Sequence, residues 1–510
     1  MAITDEQVKV SKKLEINIDW LSRELGVGKS FDVICREISF AGKDAALFFV
    51  DGFAKDQIMM YVLRSLALVK REDLAPDTFK KLLKQYINYI EVETTDDLHE
   101  VVDKVLAGPI ALVVDGIEEV IIIDAREYPV RGLEEPDLER VVRGSRDGFV
   151  ETIVFNTALI RRRIRDPKLR TEILQAGQRS KTDICVVYIE DIANPELVEQ
   201  VKEKIKAIKM DGLPMAEKSV EELIAPGSNW NPYPTVRYTE RADVAAVHLL
   251  EGHVLVIVDT SPSVMILPAT FFHHVQHAEE FRQSPAVGFF QRWVRYAGIF
   301  LALIGVPLYL LVSMHPELLP PALKFLGPSK VGKIGLMWQF LFAEFGINLM
   351  RMAAIHTPSA LATALGLIAA VLIGQVAIDI GLFAPETVLY LSVAAVGTFA
   401  TPSFELGMAN TLARIVLIVI TGLFGVPGFA IGVLGLLAFL AMTKSFGVPY
   451  LWPLIPFNFQ AMKSILLRPP IPIQNTRPSI LRPIDRSRQP APALKPGKEA
   501  EKSKNGKEKE

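Results

Sequence analysis

Cysteines are scarce in this sequence. Cys35 and Cys185 are the two cysteines among 510 residues, and each lies in an apolar run. Such a pair indicates reduced thiols in a protein core and excludes a framework of disulfide bonds. The N-terminus lacks the apolar segment of a secretory signal peptide, so we expect the leading domain to stay in the cytoplasm. The net charge of −2 averages unlike regions and gives no indication of a nucleic-acid partner.

Charged residues are rare in one long region of the second half. Between Ile299 and Thr443, 145 residues contain only ten charged side chains. Because about 20 apolar residues cross the core of a bilayer as a helix, we expect a polytopic α-helical membrane domain here. The last apolar run, 415–443, contains Pro427 and several glycines, so it is expected to form two short or re-entrant segments. The other predicted spans are 296–314, 334–350, 358–380 and 387–404.

The charged half that precedes this region has the pattern of an α/β domain and contains a near-repeat. GPIALVVDGIEEVIII from Gly108 matches GHVLVIVDTSPSVMIL from Gly252, 144 residues later. LFFVDGFA from Leu47 matches VVYIEDIA from Val186, 139 residues later. The repeat predicts two related subdomains, each with a strand, a helix and a later hairpin that turns at an aspartate. Chance similarity between short β-rich segments is the alternative.

Composition sets the predicted boundaries. Trp293 and Arg295 are expected to anchor an amphipathic linker helix at the membrane interface. The Pro-rich, basic tail is expected to be disordered and cytoplasmic, on the same side as the leading domain. The predicted segments are an N-terminal extension 1–28, subdomains 29–135 and 136–272, the linker 273–295, the transmembrane domain 296–467 and the tail 468–510.

Two polar motifs lie in the soluble half. Arg161, Arg162 and Arg163 fall in a basic helical segment, and three successive side chains cannot share one face of a helix. At least one arginine is expected to pair across a subunit interface, and a solvated helix face is the alternative. His273 and His277 stand four residues apart, a spacing that can bind zinc. Because no HExxH motif or nearby cysteine accompanies them, we favour a polar, pH-sensitive helix face at the membrane surface over a metal site.

Ionisable side chains at membrane depth are the sharper functional indication. Glu344, Asp379 and Glu405 lie in or beside apolar runs, where charges usually face a bundle interior or a water-filled path. Carboxylate rings favour cations in a pore, so these three are candidate pore-lining residues. The alternative is that Glu344 or Asp379 pairs internally with Arg414 or Arg351. No catalytic constellation, metal motif or phosphate loop stands out, so we expect no enzyme activity and no cofactor.

Several longer motifs resemble a known family. They are VDGFAKDQI from Val50, RGSRDGFVETIVFNTALIRRRIRDPKL from Arg143, YTERADV from Tyr238, PLYLLVSMHPELLP from Pro307 and SFGVPYLWPLIP from Ser445. Over residues 30–485 the chain resembles the A subunits of spore germination receptors, the GerA family. It departs from the nutrient-receptor pattern at Met352 and His356, where those subunits carry Glu and Arg.

The resemblance implies a location and an assembly. Members of this family reside in the inner membrane of the spore, and their A subunits assemble as pentameric, ligand-gated ion channels with the N-terminal domains as a cytoplasmic ring. A small membrane protein, other germination membrane proteins and the lipid bilayer are the implied partners. We therefore expect a homo-oligomeric channel that amplifies release of monovalent cations in germination. A non-conducting scaffold or sensor is the alternative, and a transporter is disfavoured because the membrane half shows no repeat.

Overall fold

The fold is seen in a computed structural model, which describes residues 8–54, 56–74, 78–87, 91–126, 139, 141–225, 227, 230–322, 327, 332–356 and 374–489. Two five-stranded sheets come first, and apolar helices follow them. Most of the predicted third span, 358–380, lies outside the described residues, as do 1–7 and 490–510 of the predicted termini.

Both sheets are antiparallel, and they have the same strand order. The first is β1-β2-β4-β5-β3 and the second is β6-β7-β9-β10-β8. The two sheets therefore repeat one topology, which is the arrangement that the repeated motifs predict. The strands are β1 Val33–Phe40, β2 Lys43–Val50, β3 Val92–Thr95, β4 Ile110–Val114, β5 Val120–Ile123, β6 Leu169–Ala176, β7 Thr182–Ile189, β8 Arg237–Thr239, β9 Val254–Val258 and β10 Val264–Leu267.

Helices cover both faces of each sheet. Alternate residues of a strand point to opposite faces, and on β2 Phe48 belongs to the core under α1 and α5 while Leu47 belongs to the core under α2. The central strands are therefore apolar on both faces and do not alternate with polar residues. The helices of the two units are α1 Leu14–Leu25, α2 Asp56–Ala67, α3 Arg71–Leu74, α4 Thr78–Lys81 with a π turn Leu82–Tyr86, α5 Leu98–Ala107, α6 Ile153–Arg163, α7 Pro195–Lys206, α8 Ala216–Ile224 and α9 Ala242–Glu251.

The N-terminal segment belongs to the first unit and does not form an extension. Helix α1 precedes β1 as α6 precedes β6, and Asn17 of α1 makes the same contacts as Asn156 of α6. Each amide group accepts from the N–H and donates to the C=O of one upstream residue, Ser11 or Val150, at 2.8 and 2.6 Å in both units. The first N–H of each helix donates to the aspartate of the hairpin turn at 3.2 Å in both units. The predicted boundary at residue 28 is therefore wrong.

The linker to the helical region is three helices, where one was predicted. They are α10 Phe271–Val275, α11 Glu279–Arg282 and α12 Pro285–Phe300. Helix α12 continues through a π turn, Leu301–Gly305, into α13, Val306–Met314. These 30 residues form one apolar helix that is long enough to cross a bilayer. The helix begins at Pro285, upstream of the predicted 296, because proline is favourable in the first turn of a helix.

The remaining helices form an apolar bundle. Among the described residues, two helices are long and apolar enough to cross a membrane, the 30-residue helix from Pro285 and the helix Phe404–Met442. The elements after α13 are a 3₁₀ turn Pro316–Leu318, α14 Leu336–His356, α15 Ala377–Asp379, α16 Pro385–Phe399, α17 Phe404–Met442, β11 Lys444–Ser445, β12 Val448–Pro449, α18 Phe459–Leu467 and 3₁₀ turns Ile471–Ile473 and Ser479–Leu481.

Helix α17 folds back on itself at Gly425, where φ is 57° and ψ is −135°. Asn410 near its start and Phe439 near its end both contact Tyr233. The tyrosine hydroxyl donates to Asn410 Oδ1 at 3.3 Å, and its ring lies 6.3 Å from the Phe439 ring. A straight helix would separate these two positions by about 44 Å, so the legs 404–424 and 426–442 are antiparallel. The last apolar run is thus divided as predicted, but its first leg begins at 404 and not at 415.

The first part of the tail is ordered, against the prediction of disorder from residue 468. Arg477 Nε donates to the backbone carbonyl of Leu250 at 2.8 Å, and Arg488 forms an ion pair with Glu251 at 3.3 Å. Leu481 is buried in the same segment. The last carbonyls of a helix have no partner within that helix, so the end of α9 offers acceptors to the returning tail.

Candidate functional site

An arginine–carboxylate pair joins the two sheet units. Arg161 of α6 donates from Nε and Nη2 to the two carboxylate oxygens of Asp32, just before β1, at 3.0 Å each, and both side chains are fully buried. The Thr171 hydroxyl donates to the same carboxylate at 2.5 Å. This bidentate geometry is among the strongest that an ion pair adopts. Because the guanidinium is enclosed within its own chain, the structure corrects the predicted place of Arg161 at an interface between subunits.

The other two arginines of the run point elsewhere, as the rotation of a helix requires. Arg163 Nη2 donates to both carboxylate oxygens of Asp147 at 2.7 Å, so this arginine too pairs within the chain. Arg162 is exposed. Arg162 is therefore the most exposed of the three predicted interface arginines.

A second buried ion pair lies inside the helical region. Arg414 of α17 donates from Nε to Glu344 of α14, and both side chains are at most 3% exposed. Arg414 Nη1 donates to the Ala302 carbonyl in the π turn and lies 3.4 Å from the Thr398 hydroxyl. A π turn interrupts the regular ladder of helix hydrogen bonds, which leaves this carbonyl available to the arginine. Internal pairing of Glu344 was the alternative to a pore role, and it is the arrangement within a single chain.

Polar groups continue from this pair along one face of α14. Glu344, Asn348 and Arg351 follow one another at the i, i+4, i+7 spacing of a single face. Arg351 Nη1 lies 2.7 Å from Met408 Sδ, and its guanidinium stacks on the Phe399 ring at 5.2 Å. The second carboxylate oxygen of Glu344 and Asn348 Oδ1 are buried and have no hydrogen-bond partner among the described residues. Buried polar groups without a partner are costly, and inside a membrane such groups usually mark a path that water or a cation enters.

The other two predicted pore residues lie away from Glu344. Asp379 ends α15 and is exposed, and the turn that follows it accepts at the Gly381 carbonyl from the Lys333 N–H, just before α14, at 3.0 Å. Glu405 stands in the first turn of α17 and accepts from the Ser403 hydroxyl at 2.8 Å. Burial raises the pKa of Tyr238 in β8, and the carboxylates of Glu221 and Glu405 add to the rise, so Glu405 lies close to the second sheet unit. The three carboxylates thus stand at three depths and form no cluster within one chain.

The predicted membrane-interface anchors differ in environment. Trp293 of α12 is 46% exposed, beside the still more exposed Phe290. Arg295 instead donates to the buried carboxylate of Glu280 and to the backbone carbonyl of Val275 at 3.1 Å. The structure therefore leaves Trp293 accessible as an anchor. The prediction for Arg295 is corrected, because its side chain is held inside the linker.

Four histidines lie where α10 packs on the second sheet unit, and three of their rings contact one another. His273 and His274 belong to α10, His248 to α9 and His253 to the turn that follows α9, and all four are buried. The ring of His253 lies 5.0 Å from the rings of His248 and His273, centroid to centroid. We call these four side chains the histidine layer. The prediction of a polar helix face at the membrane surface is wrong for His273, because the helix ends at Val275 and turns this ring inward.

The histidine layer has no metal-binding geometry. Across the part of the chain that the structure describes, no group of three or more His, Cys, Asp or Glu side chains is arranged to hold a metal ion. Sequence reasoning missed His248 and His253, which flank the end of α9 at a spacing of no known motif. Their proximity to His273 is visible only in the structure, where α10 packs against them.

The chain segments that enter and leave the helical bundle are tied to each other. The Ser445 hydroxyl donates to the Thr235 carbonyl at 2.6 Å and accepts from the Ala269 N–H at 3.0 Å. Phe271 N–H donates to the Tyr450 carbonyl at 2.9 Å. The return from α17 is therefore fixed to the second sheet unit and to the linker at one junction.

These features define a class: a membrane protein with a head of two repeated α/β units and a helical bundle that carries a buried ion pair. The family model described as Bacillus/Clostridium GerA spore germination protein matches residues 20–480. The chain belongs to the GerA family of spore germination proteins.

Two relatives of known sequence agree with this assignment, and one solved structure is reported beside them. The chain is 49% identical to "Stage V sporulation protein AF" of Bacillus subtilis (strain 168), over 95% of this chain and 98% of that protein. It is 28% identical to "Spore germination protein KA" of the same organism, over 97% of this chain and 92% of that protein. The crystal structure of the N-terminal domain of the A subunit of the Bacillus megaterium spore germinant receptor GerK3 matches 52% of this chain and 98% of its own, with 26% identity and a TM-score of 0.41.

Proposed function

We propose that the chain is the repeating subunit of a homo-oligomeric channel that releases monovalent cations through the inner membrane of the spore during germination. The observation that carries this proposal is membership of the GerA family over nearly the whole chain, together with the identity to a stage V sporulation protein. The proposal assigns to the chain no enzymatic reaction, no cofactor and no nucleic-acid partner.

The geometry of α17 supports a polytopic topology. Its first leg, 404–424, is about 30 Å long at 1.5 Å per residue, which matches the hydrocarbon core of a bilayer. Both ends of the hairpin approach Tyr233 in the second sheet unit. In the proposed topology the hairpin crosses the membrane and returns, and the sheet units and the ordered tail lie together on the cytoplasmic side.

The outward surface of the bundle supports assembly from several copies. Large apolar side chains are exposed along the helices, among them Phe342 and Phe345 on α14 and Leu389 and Val396 on α16. Such faces pack against lipid or against other copies of the chain. The family resemblance favours five copies, with Arg162 at the contact between cytoplasmic heads and a small membrane protein as a further partner.

The ionisable residues supply the proposed pathway. Glu405 stands at the cytoplasmic end, Glu344 in the interior and Asp379 at the opposite end. Carboxylates at the two ends raise the local concentration of cations. Glu344 offers one unpaired oxygen, while Arg414 holds the other and sets the charge that a passing cation meets.

A non-conducting scaffold is the second candidate, and one observation favours it. Arg414 neutralises the charge of Glu344. Arg351 lies near this pair, so the three side chains together carry a net positive charge. A buried pair of this kind also serves to fix helix packing, with no ion involved. In that case the chain would gather other germination proteins in the membrane and would conduct no ions.

The test is potassium release from germinating spores that carry four variants: Glu344→Gln, Arg414→Gln, the double substitution, and Glu317→Gln as a control on an exposed carboxylate. Protein level and oligomer size are measured in the same spores. We expect Glu344→Gln to slow release several-fold, since Arg414 then presents an unpaired positive charge to cations. Arg414→Gln should speed release, and Glu317→Gln should leave it unchanged.

The double substitution separates the two candidates. A scaffold needs only that the pair be matched, so the double variant would restore both assembly and release while each single variant loses assembly. A conducting pathway predicts altered release in variants that assemble normally. Unchanged release from normally assembled Glu344→Gln would remove this residue from the pathway.

A further inference from the structure

The histidine layer occupies the joint between the cytoplasmic head and the helix that enters the membrane. Helix α10 is the first element after the second sheet and lies ten residues before α12 begins. Two of its five residues are histidines: His273 inserts beside His248 and His253, and His274 lies beside Tyr450 and the backbone of Pro234. The other side chains of α10 are apolar, and the rings share the contact with Phe271, which packs on Tyr450, and with the buried Val275.

The hydrogen bonds of two rings require the neutral imidazole. His248 Nδ1 lies 2.9 Å from the Val244 carbonyl and therefore carries the proton, which leaves Nε2 as an acceptor 3.5 Å from Arg237 Nη1. His273 Nδ1 accepts from the Thr270 N–H at 3.0 Å, which fixes the opposite tautomer. A second proton on either ring would point an N–H group at another N–H donor. Protonation of the layer is thus opposed by geometry at two positions.

The charges around the layer also oppose protonation. Arg237 of β8 is the nearest charge, and its Nη2 is held by Glu139 and by the backbone carbonyl of Gln276. The two carboxylates near Arg237 are Glu139 and Glu251, and each already pairs with an arginine, so neither is left to stabilise an imidazolium. Tyr450 lies beside His274, and Tyr233 lies beside Tyr450. The titratable and charged groups on the elements packed around the layer are Arg237, Glu139, Glu251, His277, Glu279, Arg295 and Arg488.

Burial lowers the pKa of all four histidine rings. It lowers the pKa of His253 to about 4 and that of His274 to about 3, and in both rings nearby backbone carbonyls partly offset the effect. Burial, followed by neighbouring positive groups, lowers the pKa of His248 and His273 well below 6.5. The docked layer is therefore neutral.

We propose that the histidine layer is an acid-sensitive latch, which holds α10 on the second sheet unit while its rings are neutral and releases the membrane-proximal linker when they take up protons. Release would loosen the junction between the head and the helix that begins at Pro285. The inference does not depend on ion conduction, because docking of α10 is a property of the chain whether or not it forms a pore.

The sign and size of the effect follow from linkage. Once exposed, each ring returns to an ordinary pKa near 6.5, which is above its value in the docked state. Docking is therefore strongest above pH 6.5 and weakens as the pH falls below that value. Each histidine contributes up to about a tenfold change in the docking equilibrium per pH unit, so four together give up to about 10⁴-fold.

The experiment is hydrogen exchange of the full chain in lipid nanodiscs between pH 7.5 and 5.0, corrected for the intrinsic exchange rate. Peptides that cover 268–276 report release of α10, and those from β1 and β2 report global unfolding. We expect protection of 268–276 to fall at least about 100-fold between pH 6.5 and 5.5, while the first sheet keeps its protection.

Two variants remove one titrating ring each, His253→Phe and His274→Phe. Each should lower the pH dependence of protection by about tenfold per pH unit. His99→Gln, at an exposed histidine of the first unit, should leave it unchanged. If one phenylalanine variant does not fold, the other still decides the question. A pH dependence that is absent in the unsubstituted chain, or equal in both phenylalanine variants and that chain, would overturn the latch.

Discussion

The pair between Asp32 and Arg161 is expected to hold the two sheet units together, and its removal gives a large, measurable effect. Arg161→Met keeps the length of the side chain but leaves the Asp32 carboxylate buried, with the Thr171 hydroxyl as its remaining side-chain donor. Breaking a fully buried pair by removing one partner destabilises a protein by about 3–5 kcal/mol. The opening equilibrium of the head should therefore rise by roughly two to almost four orders of magnitude.

Thiol labelling can measure this opening in the full chain. Cys185 of β7 is fully buried, and burial raises the pKa of its thiol, so it reacts only when the second unit opens. With Cys35→Ser as background, Cys185 is the single thiol of the chain. The rate of its labelling by a disulfide reagent then reports the opening equilibrium before and after substitution.

A matched control and a double variant complete the design. Arg179 pairs with Asp211 at 2.7 Å, but both side chains are mostly exposed, so Arg179→Met should change labelling by roughly fivefold or less. Asp32→Leu combined with Arg161→Met removes both charges and should recover most of the loss. Labelling of Arg161→Met at the rate of the unsubstituted chain would refute the reasoning, and so would a double variant that labels as fast as the single one.

Three further predictions concern other parts of the chain. Asn17→Ala and Asn156→Ala should each destabilise their own unit by about 1–3 kcal/mol, equally because the contacts are the same, as measured by hydrogen exchange of α1 and α6. Gly425→Ala should lower the melting temperature in detergent, since φ is 57° and an added Cβ would lie 2.6 Å from His315 Nε2, whereas Gly435→Ala should not. Truncation after residue 467 should reduce exchange protection at the end of α9, whereas truncation after 489 should leave it unchanged.

The repeated architecture of the head could be predicted from sequence, because its central strands are continuous apolar runs and its hairpins share one pattern. The first helix escaped this prediction, since the matched segments began at strands. Asn17 and Asn156 stand 139 residues apart, the same offset as one pair of matched segments. That coincidence was a usable sign that the repeat starts before α1.

The charged contacts could not be predicted in the same way. Arg161 lies 129 residues from Asp32, and Arg414 lies 70 residues from Glu344. Nothing local in the sequence distinguishes such a buried partner from a solvated charge. The sequence left open whether Glu344 lines a pore or pairs with Arg414 or Arg351, and only the packing of α14 against α17 shows which arginine meets it.

The histidines show where a periodic pattern misleads. The spacing of His273 and His277 indicates one helix face only if the helix continues, and α10 ends at Val275. Burial of the rings then depends on α9, which no motif connects to α10. The break at Gly425 shows the opposite case, because glycines and Pro427 in an apolar run were a sufficient indication of a divided segment.

The most direct test of the central claim is ion flux through the purified chain. The protein would be reconstituted in vesicles loaded with potassium, and efflux would be measured with an ion-selective electrode alongside the mass of the assembled oligomer. The account predicts efflux that requires the oligomer, slows with Glu344→Gln and quickens with Arg414→Gln. Oligomers of full size that remain impermeable to potassium under conditions that trigger release in spores would contradict it and favour the scaffold.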